Sequence, residues 1–367
     1  GPPPAATATA EPTPDPDTLV WAVASAPSVL DPARMLPDAS AGQIAGQVYD
    51  QLLRLRPGTT DLVPGIADDW DADREGRTYT LTVREGLRFH DGTPLDATAV
   101  AWNFQRWMDP EHPQHQGEFR SWLSLFGGYV GQQDSQGRAT NLIEKVEALD
   151  PLTVRLTLRE PFAPLLYHLA LTPFGIASPT AVRAQGEQYG LDGAHLPVGS
   201  GPFRVVSWAS DGTVRLAANP DYWAGPPTVP GVQIVVIPDP QARLAAVAGG
   251  AVQGAPLDPT TPVTAALAAG GLRVVPRPSR ANAWLTVNLT RRPLDDVRVR
   301  RALDMAIDRT RLARAYFGAE ALPAGQLLAP VFQGFDTSLV ATPYDPDGAR
   351  ALLAEAGHAE GFTLNIW

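Results

Sequence analysis

Residues 78–109, TYTLTVREGLRFHDGTPLDATAVAWNFQRWMD, limit the fold more than any other stretch of this chain. Within them the apolar period changes from two to about 3.6. Tyr79, Leu81 and Val83 alternate with Thr78, Thr80 and Thr82, which predicts a strand buried on one face. Residues 87–89 can form a second short strand, and His90-Asp91-Gly92-Thr93-Pro94 predicts a tight turn. From Ala97 the placement of Val100, Phe104 and Trp107 predicts an amphipathic helix, stopped by Asp109-Pro110. Strand, corner and helix in this order point to an α/β unit with no catalytic group built into it.

The same signals recur along the chain. Residues 19–23 predict a first strand, and residues 41–53 a helix with Ile44, Val48 and Leu52 on one face. Residues 142–148 and 152–158 alternate around Asp150-Pro151 and predict a hairpin. Phe174–Ala177 is expected as a short strand, and a boundary is expected near residue 190. Beyond it, residues 203–208, 213–217 and 233–237 predict strands, the last apolar enough to be buried on both faces. Further strands are expected at 272–276, 283–289 and 362–367, and helices within 293–317 and 347–356. A terminal strand holding Leu364, Ile366 and Trp367 should be paired and covered, so further chain is expected to complete that region.

At 367 residues the chain can hold two domains and part of a third. Gly 33 and Pro 37 together make about a fifth of it, against a usual ~12%, which predicts short elements joined by many turns. A net charge of −10 argues against nucleic acid as partner, since a phosphate backbone calls for a basic surface. With no cysteine there is neither a disulfide nor thiol chemistry. No apolar run reaches about 18 residues. Residues 2–16, PPPAATATAEPTPDP, have the composition of a flexible tether, as in a secreted protein or a lipoprotein once its leader is removed.

Catalytic signals are weak throughout. His112 and His115 are close in a loop, but a metal site needs further oriented ligands, and a solvated loop explains them better. Gly199-Ser200-Gly201 only superficially resembles a nucleophile elbow, because Pro202 and a strand follow it. No phosphate loop is present, and no cofactor is called for. Aromatics are more informative: Trp122, Trp208, Tyr222, Trp223 and Trp284 lie in or beside loops and strand ends. Such residues suit a recognition cleft on a rigid frame. For Tyr222 and Trp223 a local hydrophobic plug is the preferred reading, and for Trp122 and Trp284 the two readings balance.

Five segments together resemble the large extracytoplasmic solute-binding proteins of ABC importers, the family of oligopeptide-, dipeptide- and nickel-binding proteins. They are residues 62–106, 146–170, 198–227 (VGSGPFRVVSW to NPDYWAGPP), 287–309 (VNLTRRPLDDVRVRRALDMAIDR) and 344–364 (YDPDGARALLAEAGHAEGFTL). The resemblance implies a type II periplasmic-binding-protein fold: two lobes of mixed sheets around a cleft, with an inserted α+β subdomain. It divides the chain into a leader (1–17), lobe I (18–55 and 185–275), the insert (56–184) and an incomplete lobe II (276–367).

It also implies function. A short peptide would be captured outside the cytoplasmic membrane and passed, chemically unchanged, to an ABC permease by a monomeric protein. That protein would be periplasmic or held at the cell surface, in one form through a lipidated cysteine. Nickel, a metal chelate or an oligosaccharide are alternative solutes. A hydrolase or a chaperone-like sensor is the alternative of another class. Carried over by position, Leu36 and Asp38 lie where relatives run along the cleft. Phe119 and Trp122 correspond to a cleft aromatic, and Arg280, Asn282 and Trp284 to the hinge side. The family's acidic partner for a peptide amino group falls beyond Trp367.

Overall fold

The computed structural model describes residues 17–36, 38–257, 272–275, 282–318, 321–332 and 334–365. The chain divides into two units, residues 1–56 with 61–257, and residues 57–60 with 258–367.

The larger unit contains two four-stranded sheets. The first takes β1 (Leu19–Val23) from one end of the unit and β8 (Phe203–Trp208), β9 (Val214–Ala218) and β10 (Gly231–Val236) from the other, in the order β1-β10-β9-β8. β1 runs parallel to β10 in register from Leu19↔Val232 to Val23↔Val236, so the chain between β1 and β8 is inserted into this sheet. Its buried face carries Val23, Val205, Val214, Leu216 and Ile234. Against that core pack Ile44 and Val48 of α1 (Ala39–Val48) and Val182 of α5 (Pro179–Gln185).

The second sheet is antiparallel, in the order β4-β5-β7-β6, from β4 (Ala67–Ala72), β5 (Thr78–Val83), β6 (Ile143–Asp150) and β7 (Thr153–Leu158). The alternation in β5 does what its sequence requires: Tyr79, Leu81 and Val83 are buried with Val154, Leu156 and Leu158 of β7. Over that face lies α2 (Ala97–Met108), capped by Asp96 accepting from the Ala99 amide at 2.9 Å, with Phe104 and Trp107 in the core. α3 (Arg120–Phe126) adds Trp122 and Phe126. A short ladder of β2 (Leu53–Leu55) and β3 (Leu62–Pro64), the one-turn α4 (Leu165–His168) and α6 (Pro240–Ala248) complete the unit's regular elements among the described residues. The smaller unit holds α7 (Val297–Met305), α8 (Arg309–Phe317) and α9 (Pro346–Glu355), with α7 packed on α9.

Several local expectations are corrected. α1 stops at Val48, because Tyr49 turns extended and buries its ring, freeing Leu53–Leu55 to pair with β3. Residues 87–89 form one bridge, Arg88 to Pro94, in place of a strand. Phe174–Ala177 is no strand: Thr172–Phe174 is a 3-10 turn, and the Ile176 and Ala177 amides donate to Asp50 O and Asn103 Oδ1. The backbone there is satisfied without a ladder. The described residues within 272–276, 283–289 and 362–367 carry no strand. The helical region of 293–317 is two helices, because Asp308 caps a fresh start at α8 through the Arg311 amide at 2.9 Å.

Candidate functional site

The segment carrying Leu36 and Asp38 is held at both ends. Upstream, Asp31 caps the 3-10 turn Pro32–Arg34, accepting from the Ala33 amide at 3.2 Å. Its fully buried carboxylate also receives Arg106 of α2, with Nη1 on Oδ1 at 3.3 Å and Nη2 on Oδ2 at 2.5 Å. Beside this pair the Tyr49 hydroxyl donates to Leu30 O at 3.0 Å and lies 2.9 Å from the Tyr189 hydroxyl. Burial pushes both phenols above their ordinary range, so they stay neutral. Downstream, Asp38 caps α1: Oδ1 accepts from the amides of Ser40 (2.9 Å) and Ala41 (3.2 Å), and Oδ2 from the Ser28 amide and hydroxyl at 3.3 Å. That carboxylate is committed to shaping the segment. Leu36, between the anchors, is 45% exposed and free to touch a solute.

Phe119 and Trp122 are both buried. Each is 1% exposed, inside the larger unit's core. Trp122 donates its indole N–H to Gly128 O at 3.0 Å and packs on Phe126, Phe104 and Trp107. Phe119 lies under His115, with ring centroids 4.5 Å apart. In this structure both rings are part of the hydrophobic core. In the smaller unit Asn282 donates to the carbonyls of Gln326 (3.2 Å) and Leu327 (2.8 Å), while Trp284 is 63% exposed. Arg280 lies outside the described residues.

His112 and His115 are both taken up by local packing, His112 edge-on to Trp102 and His115 bonded through Nδ1 to Arg106 O at 2.8 Å. Burial depresses the affinity of both rings for a proton. Among the described residues no group of His, Asp or Glu has metal-binding geometry.

Sequence reasoning missed Asp50. This 3% exposed carboxylate accepts from Ser200 Oγ (3.0 Å), Tyr222 Oη (2.9 Å) and Trp223 Nε1 (3.0 Å). The Arg54 and Arg84 guanidinium groups lie over the Trp223 ring, 4.7 and 4.4 Å from its centroid. Burial holds the Asp50 carboxyl above its ordinary range, against the opposing pull of these donors. Tyr222 and Trp223 are therefore pinned by a polar knot as well as plugged. Residues 50, 200, 222 and 223 share no local spacing, so only the fold brings them together. The Gly-Ser-Gly corner is explained by the same closeness: Gly201 N donates to Val48 O at 2.9 Å, and a side chain at 199 would strike Val48 O and Tyr49.

Residues 61–366 match the family described as "Bacterial extracellular solute-binding proteins, family 5 Middle". The chain belongs to this solute-binding family. A relative named di/tripeptide-binding protein 2, of Pseudomonas aeruginosa (strain UCBPP-PA14), is 33% identical over 96% of the chain and 66% of its own length. Heme-binding protein A of Haemophilus influenzae is 29% identical over 96% of the chain and 64% of its own length. Among solved structures, the periplasmic binding protein DppA of Helicobacter pylori in complex with the peptide STSA superposes with a TM-score of 0.75. It is 26% identical and is matched over 94% of this chain and 67% of its own. The family 5 fold expected from the sequence, mixed α/β with several sheets, is thus the fold observed. The chain spans about two thirds of the length of these curated relatives.

Proposed function

We propose that the protein to which this chain belongs captures short peptides outside the cytoplasmic membrane and delivers them, unaltered, to an ABC permease. The observation that carries this reading is the similarity, over 96% of the chain, to a protein named for binding di- and tripeptides. The bracing of residues 31–36 and of Asp38 supports it. Backbone anchored at Asp31 and at Asp38, with an exposed Leu36, suits main-chain hydrogen bonding to an extended peptide of varied side chains. Trp284 offers a second exposed apolar face, in the smaller unit. The role is binding without turnover.

A second reading is favoured by one observation, the heme-binding relative that matches the chain over the same share of its length. Native mass spectrometry of freshly purified full-length protein separates the two. A heterogeneous set of adducts with di- and tripeptide masses supports peptide capture. A single macrocycle-sized adduct with a Soret absorption band supports the heme reading and overturns the first.

A further inference from the structure

Arg106 joins α2 to the following loop and to Asp31, which lies 75 residues away in sequence. It belongs to α2, and all three of its guanidinium nitrogens are engaged: Nη1 and Nη2 by Asp31, and Nε by Gln114 O at 2.9 Å. Its cation also sits 5.3 Å from the centroid of Phe119. Only 1% of its side chain is exposed, so Arg106 cannot itself reach a solute. Yet the carboxylate it grips also caps the turn Pro32–Arg34, and the next fixed point along the chain is the Asp38 cap. Met35 is buried between these anchors and Leu36 is exposed, so the placement of Leu36 follows from the two anchors together.

We propose that Arg106 is a positioning residue for solute binding. Its two-pronged grip on Asp31 holds residues 32–36 in the one arrangement that receives the solute, and so sets affinity without contact. The proposal rests on the reading that this segment touches a peptide. The physical basis is population: an apparent dissociation constant rises as the reciprocal of the fraction of molecules whose site is in place. A planar guanidinium fork fixes both distance and orientation of a carboxylate, which a neutral side chain in its place would not.

The test uses full-length protein carrying Asp31→Asn together with Arg106→Met, a pair that strands no buried charge. Leu156→Ala, on the buried face of the second sheet, serves as a destabilised control outside the segment. Hydrogen exchange of the peptide-free proteins is measured at the amides of residues 33–41, and calorimetry follows titration with the dipeptide Met-Leu. The expected result is about tenfold faster exchange in the segment and about tenfold weaker binding in the double variant, with neither change in the control. Unchanged exchange, or faster exchange with an unchanged dissociation constant, overturns the proposal alone. Wild-type protein that binds neither Met-Leu nor any other short peptide overturns the peptide reading, and the proposal with it. Should the double variant not fold, Arg106→Lys keeps the charge, loses the fork and is subjected to the same two measurements.

Discussion

Replacing Asp50 by alanine removes the acceptor shared by Ser200, Tyr222 and Trp223. The three donors do not suffer equally. Ser200 is buried, so its hydroxyl is left without a partner, a loss of roughly 1–3 kcal/mol. Tyr222 and Trp223 are half-buried and can turn to water, so each forfeits only about 0.5–1.5 kcal/mol. Against this, the desolvation that raises the Asp50 carboxyl is relieved. The net loss is about 3 kcal/mol, which for a unit of this size lowers Tm by roughly 6–12 °C. Thermal unfolding followed by tryptophan fluorescence measures it, and a drop under about 2 °C would refute the claim that this knot ties the 219–230 loop to the core. A pH series adds a sign. The folded carboxyl holds its proton to higher pH than the unfolded one, so this group's contribution to stability falls as pH rises from its ordinary value of 3.8 through its raised folded value. Asp50→Asn should abolish that slope.

Gly199→Ala should destabilise by about 2–4 kcal/mol, because the new methyl would meet Val48 O and lie 2.7 Å from Tyr49 Cδ1; chemical denaturation measures the loss. His90 donates through Nε2 to Gly201 O (2.9 Å), and its other ring nitrogen is buried without a partner. Burial depresses its proton affinity, so its stabilising contribution is complete above the ordinary value of 6.5 and is lost as pH falls through the lower folded value. His90→Gln should flatten the stability profile in that window, as read by midpoint denaturant concentration. Trp122→Ala, which empties part of the aromatic core, should lower stability by about 3–5 kcal/mol. Trp284→Ala should shift stability by less than about 0.5 kcal/mol, because the ring is largely exposed, while weakening peptide binding measured by calorimetry.

The elements legible in the sequence were those whose period is enforced by one buried face. β5 with its Tyr79-Leu81-Val83 face, α2 with Phe104 and Trp107, and the β6–β7 hairpin all fall where the pattern placed them, to within a residue or two. The pattern failed where a tertiary partner replaced a local one. Residues 174–177 look strand-like because they are apolar, yet their amides are satisfied by Asp50 and Asn103. α1 ends five residues early because Tyr49 is drawn into a hydroxyl pair with Tyr189. For the candidate site, position along the chain pointed to the segment of Leu36 and Asp38, but could not separate the exposed residue from the capping one. Nor could it tell a buried aromatic from a cleft aromatic: Trp122 and Trp284 look alike in sequence, and one is core while the other is largely in solvent. Arg106 gave no local sign of its role, since its partner Asp31 lies in another element.

Equilibrium dialysis of full-length protein against a defined mixture of di- and tripeptides, with the bound fraction recovered and weighed by mass spectrometry, bears most directly on what this molecule does. Capture without chemistry predicts peptides retained in stoichiometric amount and returned at unchanged mass. No retained peptide, or peptides returned as free amino acids, would contradict it.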